Sequence, residues 1–342
     1  MFGIPETFFT DIQVTSWNVI HEKDDTTSVV LFNLLREAMA VRKYTGKFTN
    51  KCLTSAILTG HTEAVNDIVQ MHDGRLVSVS DDTTIRLWRV TSGKCLLVLT
   101  GHTAEVKCVV ETSTKGIIAT SGADLTIKLW NVTSGLCIDT LTGHEGIVQN
   151  IILLKDGNIA TGSFDRTIKI WNIEKSQCIG TLVGHKHNIL CMVQLKDERI
   201  ASGSVDRTIK LWNIKDHSCV NTLTGHYLNT SALTILSDGR LASSSWDNSI
   251  RIWDANTGAC VGGWKGGFGN AVTALSELSD GRVVCSTFGA GVKIYDPRSG
   301  RLVIALKDKD VKYVQCSMNS VIQLKDGRIA RAGADKTIRI WE

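Results

Sequence analysis

Asp165-Arg166-Thr167-Ile168-Lys169-Ile170-Trp171 returns one period later as Asp206-Arg207-Thr208-Ile209-Lys210-Leu211-Trp212. Outward from these two stretches, the same word ends at Trp88, Trp130, Trp253 and Trp341, and once in a tyrosine, Tyr295. Steps between successive aromatics run from 41 to 46 residues. A second word opens the repeat at Gly60-His61, Gly101-His102, Gly143-His144, Gly184-His185 and Gly225-His226. A fixed period of this length means one small supersecondary unit, unable to bury its apolar face alone and dependent on stacked neighbours.

Within the third repeat, apolar runs alternate with turn residues. Ile147–Leu154 precedes Lys155-Asp156-Gly157, then come Ile159–Gly162, the Asp165 turn, Ile168–Trp171 and Cys178–Leu182. That pattern predicts four short strands per repeat. Runs this apolar suit strands covered on both faces. Only two prolines occur, Pro5 and Pro297, and neither falls in a predicted strand. Five repeats that keep both words resemble the WD-repeat β-propeller family, and the resemblance extends across residues 51–342. It implies an all-β, seven-bladed β-propeller. The seventh repeat stops at Trp341-Glu342 without an outer strand, while residues 51–58 match the outer strands Lys94–Leu99 and Leu136–Leu141. The N-terminal strand is therefore expected to complete the last blade and remove an open sheet edge.

Residues 1–50 carry no repeat and form a short N-terminal extension. Leu31, Leu34, Leu35, Ala38 and Val41 have helical spacing, which predicts one amphipathic helix over about residues 28–44. Ile4-Pro5-Glu6 and Leu34-Leu35-Arg36 resemble an F-box only in part, because their separation is too long and key positions are missing.

The net charge of +4 comes from 38 basic and 34 acidic residues without a block of either sign, so direct nucleic-acid binding is not expected. No apolar run reaches the roughly 18 residues of a membrane span, and Met1–Ile20 lacks the pattern of a secretory signal. Of ten cysteines, Cys52, Cys95, Cys137, Cys178, Cys219 and Cys260 share one repeat position. Equivalent positions on successive blades lie too far apart for disulfides, so these six read as small buried hydrophobes. There is no Cys-x-x-Cys pair, and a reducing, cytoplasmic location is expected.

Five repeats set a His, a Ser or Thr, an Asp and a Trp at fixed offsets. They are His61, Ser78, Asp82, Trp88; His102, Thr120, Asp124, Trp130; His144, Thr161, Asp165, Trp171; His185, Ser202, Asp206, Trp212; and His226, Ser243, Asp247, Trp253. A hydrolase needs one such triad, whereas a blade needs one each, so the sets read as structural networks and no enzyme is expected. In the resembled family these side chains form one hydrogen-bonded network per blade. The sixth and seventh repeats depart from it: Cys285 and Tyr295 replace hydroxyl and indole, and Arg331 replaces the hydroxyl beside Asp335 and Trp341. These two blades are expected to be softer. A basic residue also recurs two places before each terminal aromatic, as at Lys128, Lys169 and Lys210, and reads as a stem lying over the neighbouring blade. No cofactor or metal motif is present.

The resemblance also implies a binding face made by the Gly-His loops and Asp turns. Its contacts come from the third and fifth residues after each His and the residue before each Asp. Carried over, these positions hold Ile147, Phe164, Leu190, Val205, Trp246 and Phe288, an apolar arc suited to a protein or peptide partner. Lys107 is the only basic residue among the carried positions, which disfavours phosphopeptides. The expected function is a non-enzymatic protein–protein interaction scaffold. The rival readings are a substrate receptor of a ubiquitin ligase docked through residues 1–50, and a structural subunit of a large multiprotein assembly such as a ribonucleoprotein, filament or virus particle.

Overall fold

The computed structural model describes residues 54–265, 271–288, 291–306 and 318–342. The predicted helix over 28–44 lies outside the described residues, as do Cys52 and three residues of the irregular repeats, Phe268 and Val314 at the His position and Gly289 at the Asp position.

Seven four-stranded antiparallel sheets make up the described chain. Blade one contains Val65–Gln70, Leu76–Ser80, Ile85–Arg89 and Lys94–Leu99. Blades two to six repeat this order. Blade seven takes Met318–Gln323, Ile329–Gly333 and Ile338–Trp341 from one end of the array and Thr54–Leu58 from the other, with Leu58 opposite Ile338 and Thr54 opposite Trp341. The expected seven-bladed propeller and its N-terminal closing strand are thus both present.

The core lies between blades, not inside them. The second strand is buried along its whole length in blade one and again in blade three, at Leu76–Ser80 and Ile159–Ser163. One seam joins Val65, Leu76 and Trp88 of the first blade to Leu58, Ala332, Ile338 and Ile340 of the seventh. Another joins Leu129, Leu141 and Cys108 of the second to Val148, Ile159 and Trp171 of the third. Each Trp lies against the glycine of its own Gly-His pair. Gly101 has φ 148°, and a Cβ there would stand 3.1 Å from the Trp130 ring, so the opening word is glycine for both conformation and space.

Two β-bulges recur. In every blade the innermost strand slips register by one residue, leaving an extra residue at Asn66, Lys107, Gln149, Leu190, Ser231, Thr273 and position 319. On the outer strand the extra residue is Leu96, Ile138, Ile179, Val220, Val261 or Val303. These aliphatics are exposed, and a bulge there twists the edge away from flat pairing with another chain.

The outer bulge corrects the reading of the cysteines. Cys137, Cys178, Cys219 and Cys260 are exposed and Cys95 is half-buried. Their thiols span the bulge and donate to the carbonyl two residues on, at 3.3–3.6 Å. A short, weakly donating side chain fits that turn of backbone; burial is not what selects it. The recurring lysines also differ from expectation. Lys128, Lys169 and Lys210 donate to Thr140, Thr181 and Thr222 on the outer strand of their own blade, at 2.9–3.3 Å, and do not cross to the next.

Closure generates the first prediction. Deleting residues 54–58 leaves the Ile338–Trp341 strand unpaired and uncovers the first seam, so the truncated chain should be insoluble or melt far below the full chain. Calorimetry of both proteins checks this; an unchanged melting temperature would show that closure contributes nothing.

Candidate functional site

In five blades the hydroxyl of Ser78, Thr120, Thr161, Ser202 or Ser243 is fully buried and lies between two rings. The indole N–H of the blade's Trp donates to it at 2.7–2.8 Å. An ionised Asp can only accept, so the imidazole proton sits on Nδ1, and the Nε2 of a neutral ring accepts the hydroxyl proton, at 2.7–2.8 Å. The imidazole is then neutral with its proton on Nδ1, which it donates to the Asp Oδ2 at 2.6–3.1 Å. The same Oδ2 accepts the backbone N–H of the residue after the His, at 2.9–3.1 Å. One chain of bonds therefore ties the opening loop to the second and third strands.

Burial lowers the pKa of His61, His102 and His226 despite the partner carboxylates, which agrees with a neutral ring. Burial also pushes the Asp82 carboxyl up, but the donors Thr84, Thr62 and His61 outweigh it and hold it at about 2. As a nucleophile the hydroxyl is sealed: it has no exposed surface and both neighbours are occupied. Among the described residues no cluster of three or more His, Cys, Asp or Glu could hold a metal ion.

Blade seven rebuilds the clamp with different chemistry. The Arg331 guanidinium is buried, lies 5.8 Å from the Trp341 ring, and donates to Asp335 from both terminal nitrogens at 3.0 and 3.4 Å. Asp335 also accepts Arg339 Nε at 3.3 Å and the Thr337 hydroxyl at 2.8 Å. An ion pair thus stands where the other blades have imidazole and hydroxyl. Blade six has no such replacement in its sequence; its Tyr295 ring is 5.8 Å from Trp264, and the two pack together.

The clamp fixes the loops that carry the candidate binding residues. Backbone bonds of 2.8–3.1 Å join the residue before each turn Asp to the third residue after each His: Asp81 to Ala64, Ala123 to Glu105, Phe164 to Ile147, Val205 to Asn188, Trp246 to Asn229, and Phe288 to Ala271. The fifth residue after each His is the bulged residue of the inner strand. The bulge turns it toward the axis, where Asn66, Lys107, Gln149, Leu190, Ser231 and Thr273 line a central cavity of about 670 Å³.

Of the six predicted residues, Leu190, Trp246 and Phe288 line this cavity. Ile147, Phe164 and Val205 are half-buried at equivalent rim positions and are not among its lining. Trp246 is 49% exposed and Phe288 38%. Sequence reasoning missed Tyr227 and Leu228, which follow His226 and are 64% and 50% exposed, with Lys265 Nζ 4.6 Å from the Tyr227 ring. They stand at offsets that the repeat comparison did not carry over; two large apolar residues inside a turn were the available signal.

The family model "WD domain, G-beta repeat" matches residues 50–89, 93–131, 135–172, 176–213 and 217–254. The chain is 40% identical over 57 residues to F-box/WD repeat-containing protein sel-10 of Caenorhabditis elegans, covering 17% of this chain and 10% of that protein. It is 44% identical over 50 residues to F-box/WD repeat-containing protein 7 of Drosophila melanogaster, covering 15% and 4%. These matches thus span a tenth or less of the relatives' length.

Two outcomes follow from the clamp. Asp165→Ala strands His144 and the Glu145 and Thr167 amides, and should destabilise by about 1–3 kcal/mol in a denaturant titration. Acid should act on the same bonds. The lowered folded-state pKa of His61, His102 and His226 means that the unfolded chain binds protons more readily below its ordinary value of 6.5. Stability from these groups is complete above that pH and is lost as pH falls through the folded value; Asp82 adds a further loss between 3.8 and about 2. Melting temperature should therefore decline on acidification from pH 6.5, and a rise in that window would contradict the neutral-imidazole clamp.

Proposed function

The chain belongs to the WD-repeat family, and from that premise we propose that it is a non-enzymatic scaffold that binds a protein or peptide on the face carrying the Gly-His loops and Asp turns. The observation that supports this most is the placement of Trp246, Phe288 and Leu190 around one side of the central cavity. Two of them are large, exposed and apolar. They are held on turns that the backbone bonds Trp246–Asn229 and Phe288–Ala271 pin in place. Rigid aromatics of this kind lose little conformational entropy on binding and anchor interfaces. Residues 1–50 are in this reading an N-terminal extension to the propeller of residues 51–342, and the protein works in the cytoplasm.

The names of the two relatives favour a second reading, a substrate receptor of a ubiquitin ligase in which residues 1–50 dock the ligase and the same face holds the substrate. Co-purification with a ligase adaptor, lost on removal of residues 1–50, distinguishes it from a free scaffold.

The binding face is tested by Trp246→Ala combined with Phe288→Ala. Truncating a buried interface aromatic costs about 2 kcal/mol, roughly thirtyfold in affinity, while exposed residues contribute little to folding. The double variant should lose its main partner in pull-downs from native extract and keep its melting curve. Retained capture would place the site elsewhere, and a melting point several degrees lower would make these aromatics packing residues.

A further inference from the structure

One wall of the central cavity is acidic where the other is apolar. On the inner strand of blade one, the residue after the bulge is Asp67, and its carboxylate lines the cavity. Its oxygens accept the Cys108 thiol at 3.0 Å, the Val109 N–H at 3.1 Å and the Ile68 N–H at 2.9 Å, with the Ser320 hydroxyl as a further donor. None of these donors carries a full charge. At the equivalent position the other blades have Cys108, Asn150, Cys191, Ala232, Ala274 and Ser320, so Asp67 is the sole ionisable oxygen acid in that layer. Burial raises its pKa even against four donors, which marks a carboxylate whose charge is poorly solvated.

The surroundings give that charge a direction. Lys107, the cation lining the cavity, is already held by Asp81 at 2.8 Å and Glu105 at 3.5 Å. Two carboxylates, Asp81 and Glu105, thus share that ammonium, and Asp67 is left with uncharged donors. Across from them stand Leu190, Trp246 and Phe288. Asn150 also lines the cavity, with its Oδ1 buried and without a hydrogen-bond partner. An anionic guest would meet these acids with Lys107 already engaged, and a wholly apolar one would strip water from the Asp67 carboxylate without supplying a counter-charge and leave Asn150 Oδ1 without a donor.

We propose that the cavity takes a basic side chain, arginine or lysine, from the bound polypeptide, with its aliphatic stem along Leu190, Trp246 and Phe288 and its cationic head directed to Asp67 and Asn150 Oδ1. This rests on the binding face proposed above and specifies what that face recognises. Arginine suits the site better than lysine, because its flat guanidinium stacks on an indole and presents several donors to two acceptors at once. The neighbouring acids Asp81 and Glu105 add long-range attraction for a basic segment and repel an acidic one.

The experiment is a selection of phage-displayed random heptapeptides on the full-length immobilised chain, followed by synthesis of the strongest binder. Selected peptides should carry an arginine or lysine. Replacing that arginine by citrulline, neutral and of the same shape (or a lysine by norleucine), should weaken binding to the unaltered protein by about tenfold or more. Asp67→Asn should weaken the basic peptide to a similar extent and leave the neutral one unchanged. An empty selection, peptides without a basic residue, or equal affinity of the basic and neutral peptides overturns the proposal. The peptide-side substitution decides the matter even if Asp67→Asn does not fold. Trp246→Ala separates the two levels: if it abolishes both peptides while the two bind the unaltered protein equally, the face stands and the basic specificity falls. If it leaves both bound, the face itself is wrong.

Discussion

A single hydroxyl per blade, shared between an indole and an imidazole, is the constraint on which the rest depends. The aspartate can only accept, which puts the imidazole proton on the nitrogen facing it and leaves the other nitrogen of a neutral ring to accept the hydroxyl proton, while the hydroxyl oxygen takes the indole N–H. Each bond is worth about 1 kcal/mol. Their larger effect is geometric: the chain runs from the buried middle strands to an exposed loop, so a loop that would otherwise wander is referenced to the core. In blade seven the ion pair of Arg331 with Asp335 ties the second strand to the turn without a histidine. A fork of two nitrogens reaches across the space that imidazole and hydroxyl fill elsewhere.

Bulges do for the cavity what the clamp does for the loops. An unbulged inner strand alternates its side chains between the two neighbouring blades, and nothing would face the axis with purpose. One extra residue per strand redirects a side chain inward, so among the described residues the bulges add six independent choices to the lining. Chemistry at those positions is free to vary because packing does not depend on it. That freedom explains why an asparagine, a lysine, a glutamine, a leucine, a serine and a threonine can share one structural position.

Much of this was legible in the sequence, and for an identifiable reason. Period, strand boundaries, closing strand and clamp residues all leave local marks: a glycine where a Trp ring sits, an aspartate before a turn, a missing outer strand matched by a spare one. Features that depend on register between strands left none. Nothing in Lys-Cys-Leu-Leu at 94–97 announces a bulge, so Cys95 and its equivalents read as buried until the pairing placed them outside. Arg331 read as a defect because a substitution was visible but its reach to Asp335 was not. Of the six arc residues, Leu190, Trp246 and Phe288 line the cavity while Ile147, Phe164 and Val205 do not, a division that depends on register and leaves no mark in the repeat.

The seventh blade also sets the order of events during synthesis. Its outer strand, Thr54–Leu58, leaves the ribosome before any other part of the propeller, and its partner, Ile338–Trp341, leaves last. Blades one to six are built from consecutive strands and can form as they emerge. Throughout that interval the first strand has no sheet, and the seam around Val65, Leu76 and Trp88 has only one side. A nascent chain that must hold an apolar strand and an open seam until the seventh blade arrives is exposed to mispairing and aggregation for as long as the propeller takes to emerge. The bond that makes the finished ring seamless thus makes the unfinished one dependent on protection.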